Sequence, residues 1–154
     1  MPHKPRRSTA DAEAMNTPLT NADATDHPDR PPFADQRAQF VSISRTPGAV
    51  VARLVTPAIG QREAPIIEHE IREALDELDS RCRWLVVDMS AVSVLSSMGL
   101  GMCVELRRQA RERRMRTAIF GLNGHLRDLF RMMKVDRLFR MVHAREDFRK
   151  LTDR

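Results

Sequence analysis

Downstream of Gln39, the hydrophobic residues switch repeatedly between two spacings, and this alternation constrains the fold more than any other feature of the sequence. Short β-branched or continuously apolar runs predict strands at 40–44, 49–55, 84–87, 116–120 and 141–143. Apolar residues three or four positions apart predict helices over 65–79, from Ser97 through Ala110, after Asn123 and over 146–151. The order β-β-α-β-α-β-α-β-α predicts an α/β fold, in which about four helices pack on a mixed, partly parallel sheet of four or five strands.

Local sequence marks several of these elements. The first two strands are separated by Thr46-Pro47-Gly48, which predicts a hairpin. The run Trp84–Val87 is apolar at every position, as is typical of a strand covered on both faces, and Asp88 ends it. The helix that Asn123 is placed to cap carries an apolar stripe, formed by Leu126, Leu129, Phe130 and Met133.

The segment 1–36 differs from the rest of the chain. It contains six of the nine prolines, a single leucine, and no valine or isoleucine. Such a composition cannot bury enough apolar surface to offset the entropy of ordering, so we predict a disordered tail at 1–36 and one folded domain at 37–154. The tail has four basic and six acidic residues, a net charge of −2, so the positive charge belongs to the domain.

Several classes of protein do not fit this sequence. The longest uncharged run, at 89–104, has 16 residues with four serines and two glycines, too short and polar for a transmembrane helix. No apolar leader follows Met1, which predicts a cytoplasmic protein. Cys82 and Cys103 lack the spacing of a disulfide framework or a metal site, and His69 and His125 have no second ligand at helical spacing. We expect no metal or other cofactor.

Two serines open the second predicted helix, in the sequence Ser96-Ser97-Met98-Gly99-Leu100-Gly101. A serine at a helix start can satisfy a free backbone N–H, which is worth about 1 kcal/mol. Gly99 and Gly101 each cost about 1 kcal/mol relative to alanine, so close approach of another backbone, in the sheet or in a partner, should compensate. From the residues alone, Ser97 is either a cap or a functional hydroxyl.

The stretch 39–151 resembles the STAS domain, the fold of bacterial anti-sigma factor antagonists. In that family, a strand ending Val-Asp-Leu-Ser leads to Asp-Ser-Ser-Gly-Leu-Gly or Ser-Ser-Ala-Gly-Leu at the second helix. The matching stretches here are Val87-Asp88-Met89-Ser90 and Ser96–Gly101, followed by Ile119-Phe120-Gly121-Leu122, Leu126-Leu129-Phe130 and Val135-Asp136-Leu138-Phe139. Two departures stand out: Ser96 replaces a commonly acidic residue, and Thr56–Gly60 replaces the usual Gly-x-Leu-Asp.

The resemblance implies that the protein is a phosphorylation-switched, protein-binding regulator of transcription and not an enzyme. Ser97 matches the serine that is phosphorylated by a kinase that is also the anti-sigma factor, and a phosphatase would reverse the modification. The chain has no phosphate-binding loop of its own, so the partner would supply the nucleotide. The expected partner-binding residues are Ser96, Ser97, Met98, Gly99 and Asp88. Asp88 either aids phosphotransfer or caps the loop after its strand.

Two alternatives remain open. A STAS domain can also serve as a scaffold subunit of a larger assembly, such as the cytoplasmic part of a lipid transporter, without being switched. The basic cluster Arg107–Arg116 is compatible with binding nucleic acid, an anionic lipid or an acidic patch on a protein partner, or with a solvated helix end. No aromatic residue lies among these arginines to stack on bases, which disfavours nucleic acid.

Overall fold

The computed structural model describes residues 40–79 and 81–153. The tail predicted at 1–36 and the start of the domain at 37 lie outside the described residues, and both remain predictions.

The predicted order of strands and helices is confirmed. The strands are β1 (Val41–Arg45), β2 (Ala49–Leu54), β3 (Ala58–Ile59), β4 (Trp84–Asp88), β5 (Val94–Leu95), β6 (Arg116–Phe120) and β7 (Arg140–Val142). The helices are α1 (Glu63–Asp76), α2 (Ser97–Glu112), α3 (Gly124–Met132) and α4 (Arg145–Thr152), with a 3-10 turn at Asp136–Leu138. The short strands β3 and β5 were not predicted. No helix in the described part of the chain has the length and hydrophobicity needed to cross a bilayer.

The main sheet has five strands in the order β1-β2-β4-β6-β7. Strand β1 is antiparallel to β2, as the predicted hairpin requires, and all other neighbours in this sheet are parallel. The sheet is therefore mixed and partly parallel, as predicted. Strands β3 and β5 form a separate parallel pair beside it.

Strand β4 runs through the centre of the domain and is covered on both faces, as its apolar sequence predicted. Leu85 and Val87 point into the larger core cluster, which α1 and α2 close with buried residues including Ile67, Ile71, Cys103 and Leu106. Val86 points to the opposite face, where it packs in a smaller cluster with Leu151 of α4. Alternation along one strand thus anchors helices on both sides of the sheet.

The apolar stripe of α3 is shorter than predicted. Leu126 and Phe130 are fully buried, and the Phe130 ring meets Phe139 edge-on at 6.0 Å between centroids. The helix ends at Met132, and Met133, the next residue, is 55% exposed, so its predicted place in the buried stripe was wrong. The predicted stripe extended one residue beyond the end of the helix.

Both cysteines are free thiols, and they differ in access. Cys103 is buried in the core, where desolvation raises the pKa of its thiol to about 12 and so keeps it protonated. Cys82 is only partly buried. Cys103 therefore behaves as a small apolar core residue.

Candidate functional site at the start of helix α2

Two adjacent serines at the start of α2 have different roles. Ser96 is the N-cap residue: its backbone is extended, and its Oγ accepts a hydrogen bond from the Gly99 N–H at 3.2 Å. Ser97 is the first residue of the helix and its side chain is exposed. The capping role thus belongs to Ser96, which leaves the Ser97 hydroxyl available at the positive end of the helix dipole.

The loop that follows β2 supports this helix start through its backbone. The Pro57 carbonyl accepts hydrogen bonds from the Ser93 and Val94 N–H groups at 2.8 and 3.0 Å. The Ile59 carbonyl accepts one from the Ser96 N–H at 2.9 Å. This loop holds the residues that immediately precede Ser97, although its sequence is one of the two departures from the family pattern.

Gly99 shows the close approach that two glycines in a helix had suggested. A Cβ at this position would lie 2.4 Å from Leu95 Cδ1 and 3.1 Å from both the carbonyl oxygen and Cγ2 of Ile59. The absence of a side chain therefore lets α2 pack tightly on β3 and β5. No atom of the described residues outside its own helix lies within 4 Å of where a Gly101 Cβ would be, so nothing among them compensates its lower helix propensity.

Asn123 secures the other side of the loop. Its Oδ1 accepts the Leu126 N–H at 2.8 Å, which confirms the predicted cap of α3. Its Nδ2 also donates to the carbonyls of Val92 and Ser93, at 3.3 and 3.4 Å. The cap was predictable from the sequence, but these two contacts were not, because they join segments about 30 residues apart.

The exposed residues around the helix start form what we call the Ser97 surface, which consists of Ser93, Val94, Ser97, Met98 and Gly101. Val94 is 56% and Met98 48% exposed, so two apolar side chains flank the hydroxyl within five residues. An exposed polar group between apolar side chains is a typical element of a protein-binding surface. Val94 was not predicted as a site residue; its only sequence signal is an apolar residue among serines.

Asp88 was predicted beside Ser97, but the structure does not bring the two side chains to the same face. Asp88 is 3% exposed and lies on the face of β4 that carries Val86, opposite α2. Its carboxylate accepts hydrogen bonds from the Ser90 N–H at 2.9 Å and Oγ at 2.6 Å, and from Arg53 Nε at 3.0 Å. These contacts fix the start of the loop after β4.

The other predicted site residues cluster. Ser97 and Met98 are exposed and Ser96 is partly buried beside them, whereas Gly99 is buried and can act only through the packing of its backbone. The structure therefore groups three of the five predicted residues at one surface and places a fourth directly beneath it.

The predicted basic cluster is partly neutralised. Arg108 forms ion pairs with Glu105 and Glu112, and Arg113 pairs with Asp76. Hydrogen bonds from Arg108 and then Gln109 lower the pKa of Glu105 to about 2, so this carboxylate stays charged at neutral pH. The cluster is thus not a uniform basic strip along α2.

A family model described as STAS domain matches residues 41–148. No curated protein matches the chain in sequence. The unphosphorylated form of the anti-sigma factor antagonist SpoIIAA is similar in structure, with 18% identity and a TM-score of 0.59, covering 70% of this chain and 90% of that one. An anti-sigma factor antagonist from Mycobacterium paratuberculosis has 19% identity, a TM-score of 0.62 and coverages of 73% and 93%.

The fold also occurs within a much larger protein. The murine anion transporter Slc26a9 contains a similar region, with 14% identity and a TM-score of 0.58, covering 68% of this chain but 17% of the transporter. At these identities, the structural similarities establish a shared fold.

Proposed function

The chain belongs to the STAS domain family, and from that membership we propose that it is an anti-sigma factor antagonist switched by phosphorylation of Ser97. In this proposal it is a cytoplasmic, non-enzymatic regulator. Its unphosphorylated form binds an anti-sigma factor, and that partner is also the kinase that supplies the nucleotide. A phosphatase returns the protein to the binding state.

The observation that carries the proposal is the exposed hydroxyl of Ser97, next to a cap that a different serine provides. A kinase can reach this hydroxyl without disturbing the Ser96 cap. A phosphate there adds a charge of about −1.5 to −2, and the helix dipole stabilises a negative charge at this position by roughly 0.3–1 kcal/mol. The fold therefore tolerates the modification.

The partner responds in the opposite way. Val94 and Met98 flank Ser97 with apolar surface, and an interface that buries them must also remove water from the phosphate. Desolvating a charge without a counter-ion costs several kcal/mol. One modification is thus neutral or favourable for the domain and unfavourable for the complex, as a switch requires.

Phosphorylation itself is tested by incubating the protein with the candidate anti-sigma kinase and ATP and mapping the phosphate by mass spectrometry. We expect one phosphate, on Ser97, and none on Ser97→Ala. The matched control is Ser96→Asp, which keeps a carboxylate acceptor for the Gly99 N–H and introduces the acidic residue common in the family. It should still be phosphorylated. Phosphate on another residue, with Ser97 unmodified, would refute the switch.

The similarity to a region of the anion transporter favours one other function: a STAS scaffold within a larger assembly. A scaffold would use the same fold without covalent switching. It predicts that no kinase modifies Ser97 and that Ser97→Ala and Ser97→Asp support the assembly equally. The phosphate map therefore separates the two functions.

A further inference from the structure

A cleft of about 400 Å³ lies beside the first residues of β6, next to the segment that leads into β7. The first pair between these strands joins Ala118 to Arg140, so Arg116 and Thr117 precede the pairing. Ser97 lies beyond the opposite, carboxyl end of β4. The cleft is therefore separate from the Ser97 surface.

Among the described residues, four arginines and no carboxylate line this cleft; the arginines are Arg107, Arg111, Arg116 and Arg140. Within 40–79 and 81–153, none of the four forms an ion pair with an acidic side chain, in contrast to Arg108 and Arg113. Bringing four positive charges to one concave site is electrostatically unfavourable without a bound anion. The charge thus favours an anionic ligand.

Three of these guanidinium groups are held in place by contacts that leave donors free. Arg116 and Arg140 lie over the Trp84 ring, with Cζ 5.8 and 5.6 Å from its centroid. Stacking uses the face of a guanidinium and leaves its N–H edge for an acceptor. Arg107 donates through Nε to the Leu138 carbonyl at 2.7 Å, which leaves its two terminal nitrogens available. Such donors are preorganised for phosphate oxygens.

A buried hydroxyl gives an independent indication of a ligand. Thr117 lines the same cleft and is 6% exposed, and its Oγ1 has no hydrogen-bond partner among the described residues. Buried polar groups without partners are rare in native proteins, because a group that has left water without gaining a hydrogen bond destabilises the fold. A phosphate oxygen bound in the cleft would give this hydroxyl its acceptor.

From these observations we propose that the cleft binds a small molecule carrying two or more linked phosphates. Linked phosphates supply enough negative charge for four arginines, and a cleft of this volume fits a small ligand. The site is independent of the switch at Ser97, so either proposal can fail alone. A long RNA or a lipid surface would need no enclosed site and no buried hydroxyl.

The test is a fluorescence titration with tripolyphosphate at physiological ionic strength. Trp84 is the only tryptophan and lies in the cleft, so its emission reports on this site. We expect a saturable change that sulfate at equal ionic strength does not produce. Arg111→Gln should weaken binding by about tenfold, since a charge-assisted hydrogen bond to phosphate is lost. Arg127→Gln, which removes an exposed charge from α3, should leave the affinity unchanged.

Thr117→Val distinguishes specific binding in the cleft from general electrostatic attraction, because this substitution changes no charge. We expect the substitution to weaken the binding of tripolyphosphate by about fivefold, which corresponds to the loss of one hydrogen bond, and to raise the melting temperature of the free protein. The proposal is overturned if tripolyphosphate does not bind, if Arg127→Gln weakens it as much as Arg111→Gln, or if Thr117→Val has no effect on affinity. It is also overturned if poly(U) RNA or phosphatidylglycerol vesicles bind at the cleft and tripolyphosphate does not displace them.

Discussion

Ser97→Asp is expected to bind the anti-sigma kinase about 100-fold more weakly than Ser97→Ala, or more weakly still. Both variants remove the hydroxyl, so the difference isolates the charge. The helix dipole stabilises an aspartate in the first turn, and the Ser96 cap is untouched, so both variants should fold. The loss therefore arises in the complex, where the carboxylate must leave water beside Val94 and Met98. Isothermal titration calorimetry of each variant with the purified partner measures this difference in affinity.

A charge placed elsewhere provides the control. Ser44 is exposed on β1, at the edge of the sheet and far along the chain from the Ser97 surface. Ser44→Asp changes the net charge by the same amount and should bind as tightly as the unmodified protein. If Ser97→Asp matches Ser97→Ala in affinity, the charge at this position is not the switch.

Gly121→Ala is expected to destabilise the domain by about 3 kcal/mol, from left-handed backbone strain and overpacking together. Gly121 has φ of 77°, where a side chain is strained. A Cβ there would lie 2.2 Å from Ser90 Oγ and 3.0 Å from the Ser90 Cα and N. The chain is this crowded because β4 and β6 end side by side, and Met89 N–H bonds to the Phe120 carbonyl at 2.8 Å. Urea unfolding monitored by circular dichroism measures the change.

Gly124 is the matched control for this substitution. It lies three residues away, at the start of α3, and no atom in the described part of the chain beyond its own helix and cap lies within 4 Å of the position of its Cβ. Gly124→Ala should stabilise the domain by roughly 0.5–1 kcal/mol, because alanine restricts the unfolded chain more than glycine does. Equal effects of the two substitutions would show that the approach of Ser90 to Gly121 does not constrain the fold.

The main elements were predictable because their signals are local. Strand β4 is apolar at consecutive positions, and only a strand covered on both faces accommodates such a run, so its central place followed from its sequence. The start of α2 was equally clear, since a pair of serines marks the point where the helical pattern begins. What the pattern alone did not decide was which serine caps the helix, because a capping hydrogen bond depends on backbone angles.

The contacts that support the site were not predictable, because they join distant segments. Strands β3 and β5 have two residues each, too few for any periodicity, yet their pairing places the Ile59 carbonyl under Ser96. The position of Asp88 shows the same limit. The sequence correctly predicted that Asp88 ends β4. Side chains alternate between the two faces of a strand, so whether the Asp88 carboxylate points towards α2 or away from it depends on which face of β4 that helix covers.

The most direct test of the account is hydrogen exchange of the protein alone and bound to its anti-sigma partner. The N–H groups of Ser97 and Met98 belong to the first turn of α2, which lacks intrahelical acceptors, so they should exchange readily in the free protein. We predict that the partner slows exchange across 93–101 when Ser97 is unmodified and leaves it unchanged when Ser97 is phosphorylated. The proposal that the partner binds the Ser97 surface would be contradicted if exchange slowed only in α4 or at the cleft arginines and 93–101 were unaffected.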